Sequence, residues 1–203
     1  MERMPATPAS DEISPLTTHL AELPINAVMD VSRKQISDIV AKFFNSLDEL
    51  LLDIASYMSD EQDVRNIIGF RRLLQAQNHQ VTHEIVTLFT WSLIPGDNRS
   101  AISAKRMTIN DMHLNTMVTK LRESHLLQLQ SIEKLYPRII QTAKVDHTNN
   151  PFDPIKIYGI AYAVFDTLNI DDNSKNLCLR EFHYVLKDHL RSFYDTIIQT
   201  MFH

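Results

Sequence analysis

Residues 149–202 read NNPFDPIKIYGIAYAVFDTLNIDDNSKNLCLREFHYVLKDHLRSFYDTIIQTMF, and the reading of this stretch decides the fold. Asp153 stands directly before Pro154. An aspartate side chain can accept hydrogen bonds from the free amides of a first helical turn, and proline's fixed φ and missing N–H suit the first helical position. A helix is therefore predicted to start at Pro154. Ile157, Ala161, Val164, Phe165 and Leu168 recur at helical spacing along it. The hinge Asn169 to Asn173 is too short for anything but an antiparallel return. Leu177, Phe182, Val185, Leu186, Leu190, Phe193, Tyr194, Ile197 and Met201 then line a second helix.

Upstream the same periodicity continues. Ser32 followed by Gln35 has the form of a capping box, and apolar residues from Ile36 to Met58 recur at spacings of three and four. Ser59 or Asp60 can cap the next helix, whose apolar positions run from Val64 to Phe89 with a thin, polar stretch at Gln75–Gln80. Pro95-Gly96-Asp97-Asn98 ends it as a turn, and a polar loop follows to about residue 108. Thr108 or Asn110 starts a third region ending near Ile140. Pro137 is predicted to kink or restart it near Tyr136. Residues 1–30 contain Pro5, Pro8, Pro15 and Pro24 and read as a flexible tail. The expected fold is all-α: an antiparallel bundle of about five long helices over residues 31–203, preceded by that tail.

Composition excludes several functions. The 203 residues include only three glycines, too few for turn-dense β folds or phosphate-cradling loops. Net charge is −5, unfavourable for nucleic acid as a partner, whose binding rests on neutralising phosphates. The charge is uneven: residues 1–100 carry 8 Lys and Arg against 14 Asp and Glu, residues 101–203 carry 12 against 11. No apolar run is long enough for a membrane span. Cys178 is the single cysteine, so no intramolecular disulfide can form. With no secretory signal in the first residues, a cytoplasmic location is expected.

The search for chemistry finds little. His79 and His83 share a helix face but lack a third ligand and the His-Glu-x-x-His pattern. Cys178 lies near a helix start, where the dipole favours a thiolate; a small buried residue is the simpler reading. Asp171-Asp172-Asn173 lacks the spaced ligands of a calcium loop and is explained by capping. Gly-rich nucleotide loops and nucleophile elbows are absent, so no enzyme activity and no cofactor are expected. Arg71, Arg72, Arg99, Lys105 and Arg106 are the candidate contacts for an anion or a partner, with Tyr136, Tyr158, Tyr162, Tyr184 and Phe193 as stacking candidates should the fold bring them beside those cations.

The corner Asn150-Pro151 with Pro154, together with Phe182 and Ser192-Phe193-Tyr194-Asp195 in the last helix, resembles the C-terminal part of a proteobacterial family catalogued as domain of unknown function sixteen-thirty-one. Phe70-Arg71-Arg72 and the Leu-rich run Leu126 to Leu135 are loosely similar to earlier parts of it. The resemblance implies a bacterial, cytoplasmic, regulatory protein and transfers no active site. Where the family carries Phe-Asp in its last helix, this chain has Phe182-His183. The expectation is a non-enzymatic protein acting through contacts with another protein or with itself, and the alternative is a sensor of a nucleotide messenger or other small anion.

Overall fold

The computed structural model describes residues 15–94, 112–141 and 149–202, with side-chain surroundings from Ile25 in the first segment and Leu114 in the second. Among the described residues there are six helices and no strand: α1 Pro15–Tyr57, α2 Glu61–Ser92, α3 Met112–Ser124, α4 Leu126–Ile139, α5 Pro154–Phe165 and α6 Asp172–Phe202. The all-α bundle read from the sequence is the observed architecture.

The frame is a trio of long helices, with α1 packed against both α2 and α6. Contacts that cross it fix the directions. Asp48 of α1 meets Arg71 and Gln75 of α2, while Lys42 and Ser46 of α1 meet His189 and Glu181 of α6, so α1 is antiparallel to both. The chain turns from α1 into α2 over three residues, and Asp60 makes that turn possible: its carboxylate accepts from the amides of Gln62 at 2.7 Å and Asp63 at 3.1 Å.

α5 is the centrepiece. Nine of its residues are buried, from Pro154 and Ile157 to Val164 and Phe165, because it lies among α2, α3 and α6 rather than on the surface. Around it the aromatics interlock. Phe43 of α1 sits 5.4 Å from Phe165 and 5.7 Å from Phe182, centroid to centroid, and Phe152 contacts Phe89, Tyr136 and Phe193.

Three expectations require correction. The first helix does not start at Ser32: α1 begins at Pro15 and runs through that residue, whose side chain is buried, and Val28 is wholly buried in the core. Packing of Val28 and Ile36 outweighs the capping preference of a serine. Residues 1–14 of the expected tail lie outside the described residues. Secondly, the third region breaks at His125 and not at Pro137. The Leu121 carbonyl accepts from the Ser124 hydroxyl at 2.8 Å and lies 3.0 Å from His125 Nδ1, side-chain competition that opens the helix there. Pro137 falls in the last turn of α4, where one lost ladder bond matters little. The chain leaves that helix through Gln141 at φ 53°, a left-handed termination normally given to glycine. Thirdly, Tyr57, read as part of the inward stripe, is 87% exposed at the hairpin tip. The polar stretch Gln75–Gln80 is an exposed part of an unbroken α2.

Candidate functional site

The five candidate basic residues do not all fall within the described residues; Arg99, Lys105 and Arg106 lie outside them. Arg71 is committed elsewhere. Its guanidinium donates from Nε and Nη2 to the two oxygens of Asp48, at 2.7 and 2.9 Å, and Gln75 adds a third bond to the same carboxylate at 2.9 Å. Hydrogen bonding from Arg71 holds the Asp48 carboxyl below its ordinary value, and the pair raises that of Arg71 in turn. This bidentate clamp bridges α1 and α2 beside a polar interhelical cavity of about 340 Å³. Arg72, one residue on, is exposed.

Three of the five stacking candidates, Tyr136, Tyr158 and Phe193, turn inward, as does Tyr194, while Tyr162 is half-buried and Tyr184 exposed. Tyr158 and Tyr194 donate to the carbonyls of Leu179 and Phe152 at 2.8 Å each, Tyr136 donates to that of Leu93, and Phe193 is buried among them. Burial pushes the phenols of Tyr136 and Tyr194 well above their ordinary range. Lys175 Nζ lies 6.0 Å from the ring centre of Tyr162. Cys178 is buried and its thiol is pushed up to about 12 by desolvation, so the helix dipole does not activate it. His79 and His83 are exposed, and among the described residues no three His, Cys, Asp or Glu side chains gather as metal ligands would.

The Asn-Pro-Phe-Asp-Pro corner is a clasp. The Asn150 side chain accepts from the Phe152 amide at 2.9 Å, and Asp153 caps α5 through the Ile155 amide at 2.9 Å. Asp153 also receives Arg122 Nε of α3 at 2.8 Å. Tyr194 of α6 holds the Phe152 carbonyl, so α3, α5 and α6 are tied at one point. Asn150, Phe152 and Asp153 are each 0–1% exposed. This polar chemistry is spent within the fold, between Asn150, Asp153, Arg122 and Tyr194 and their partners.

What does face outward is a groove of about 440 Å³ between α2, α3 and the first turns of α6. Ile67 and Phe70, Leu114 and Met117, and Leu177 line it, with Asn173, Ser174, Asn176 and Arg180 around them. Helix lengths explain why it exists. At about 1.5 Å per residue α5 spans roughly 18 Å and α2 roughly 48 Å, so the outer helices overhang the central one. No residue of α2 before Leu74 is buried, although Val64, Ile67, Ile68, Phe70 and Leu73 are all apolar. Ile67 and Phe70 pack on the core with one side and leave the other uncovered.

Arg180 was not singled out from the sequence, nor was Phe70 read as part of an inner face. The available signal was the breadth of the apolar arc at the start of α2, wider than a single buried stripe demands. No family model, curated protein or solved structure matches the chain. Among the described residues no helix is long and apolar enough to cross a membrane.

Proposed function

We propose that this chain is a non-enzymatic interaction module of regulatory type that acts by receiving an apolar segment of a protein partner in the α2–α3–α6 groove. The observation that carries the reading is the groove itself: large apolar side chains, the half-buried Ile67, Phe70, Met117 and Leu177 with the buried Leu114 behind them, on three helices that leave a common space between them. A bacterial cytoplasmic setting is part of the proposal and rests on the resemblance of the corner and last helix alone.

The alternative of an anion sensor has less support. Arg71, its best-placed cation, is occupied by Asp48, leaving Arg72 among the described candidates. The groove reading is tested with Phe70→Glu and Met117→Glu, both at half-buried positions. Circular dichroism should remain that of the parent chain, while capture of specific partners from the native cell, or self-association in light scattering, is lost. Retention of the same associations in both folded variants refutes it.

A further inference from the structure

We infer that the groove selects an amphipathic helix bearing a carboxylate, which Arg180 receives at the rim. The inference rests on the groove being the interaction site and adds the chemical class of its occupant.

Two features of the groove choose a helix. All three walls are helices, whose backbone amides and carbonyls are already paired internally, so no sheet edge is offered to an incoming extended strand. A segment entering an apolar space must bring its backbone polar groups already satisfied, and a helix does this. The lining positions follow the same geometry: Ile67 with Phe70, Leu114 with Met117, and Asn173, Ser174, Leu177 and Arg180 each recur at three- and four-residue steps, presenting ridges between which another helix's side chains fit. The volume lies within the roughly 300–1,000 Å³ typical of ligand sites.

Charge supplies the rest. Arg180 is the single charged side chain lining the groove, it is exposed, and no carboxylate among the described residues pairs with it. The neighbouring charges are spent. Lys175 is held by Asp166 at 2.6 Å, and Asp171 accepts from the Ser174 amide at 2.9 Å and from its hydroxyl at 2.8 Å. Asp172, at the first turn of α6, lies 3.6 Å from the same Lys175, so among the groove's lining side chains the one charge, and a positive one, is that of Arg180. A carboxylate on the bound helix meets it as a charge-assisted hydrogen bond at the edge of an apolar contact.

The test uses the full chain and two dye-labelled 16-residue helical peptides, identical in four leucines at i, i+3, i+4 and i+7 and differing in one flanking residue, Glu or Lys. Fluorescence anisotropy should show the Glu peptide binding roughly five- to tenfold more tightly, since the exchange converts one attraction at a partly exposed site into one repulsion. Arg180→Glu should reverse the order, and Phe70→Ser should weaken both peptides. Equal binding of the two peptides, unaltered by Arg180→Glu but lost in Phe70→Ser, overturns the acidic-helix inference and leaves the groove as the site. Binding of neither peptide, or binding indifferent to Phe70→Ser, overturns both.

Discussion

Replacing Asp153 should reveal how much of the fold depends on one buried carboxylate. It is 1% exposed and makes two bonds of different kinds: a cap to the Ile155 amide at 2.9 Å and a charged bond to Arg122 at 2.8 Å. Loss of a cap costs about 1 kcal/mol, and loss of a charged hydrogen bond about 1.5–3 kcal/mol. The Arg122 side chain is 26% exposed, so water partly recovers its charge and the lower end applies. Asp153→Ala should therefore destabilise by about 2.5 kcal/mol. Asp153→Asn keeps a competent cap and should lose only about 1.5 kcal/mol. Urea unfolding followed by circular dichroism at 222 nm measures both, provided the slope is unchanged. Combining Asp153→Asn with Arg122→Met closes a double-mutant cycle with an expected coupling of about 1.5 kcal/mol. A coupling below about 0.5 kcal/mol would refute the view that this pair ties α3 to α5.

Three further outcomes follow from local geometry. Gly69→Ala should stabilise the chain by about 1 kcal/mol, since the residue is exposed within α2 and a Cβ there meets nothing within 4 Å; an unchanged urea midpoint would count against it. Gln141→Gly should gain up to about 1 kcal/mol by relieving the positive φ at the end of α4, read as a rise in melting temperature of about 2–4 °C. The third concerns alkali. Cys178 holds its proton in the folded chain up to about 12 against an ordinary value of 9.0, so the unfolded chain releases that proton first and stability must fall as pH rises from 9 towards 12. The slope is up to about 1.4 kcal/mol per pH unit for this one group. Cys178→Ala should flatten the decline between pH 9 and 10, before the buried tyrosines contribute, and an identical pH profile in the variant would contradict the assignment.

Where local chemistry and tertiary packing agreed, the sequence was sufficient. Asp60 and Asp153 cap the helices they were read to cap, and the stripe from Phe182 to Ile197 is the buried face of α6. Ser32 shows the opposite case. A serine three residues before a glutamine has the same appearance at a helix start and inside a long helix, and only the burial of Val28 one turn earlier distinguishes them. Likewise Pro137 carries a strong local signal whose effect depends on its place in the helix, whereas His125 carries a weak one that the Leu121 carbonyl makes decisive. The groove was less legible still. It arises from the difference in length between α5 and its neighbours and from which helices flank which, and neither quantity is written in any single stretch of periodicity.

The clasp also bears on what a sequence resemblance can carry. The residues from which a family likeness was expected, Asn150, Pro151, Pro154, Phe182 and Tyr194 among them, are core or cap residues: Asn150 shapes the turn, Pro154 opens α5, Phe182 meets Phe43 and Phe165, and Tyr194 holds the Phe152 carbonyl. Residues in such positions answer to packing, because a buried polar group left without its partner costs about 1–3 kcal/mol. Any chain that closes three helices with this corner needs them, whatever its surface does. Ile67, Phe70, Met117 and Arg180 answer to no such demand, since each keeps a solvent-facing side that the fold does not use. Two chains sharing the clasp could therefore share an architecture and differ in partner, and it is at these groove positions, rather than at the corner, that the difference would be written.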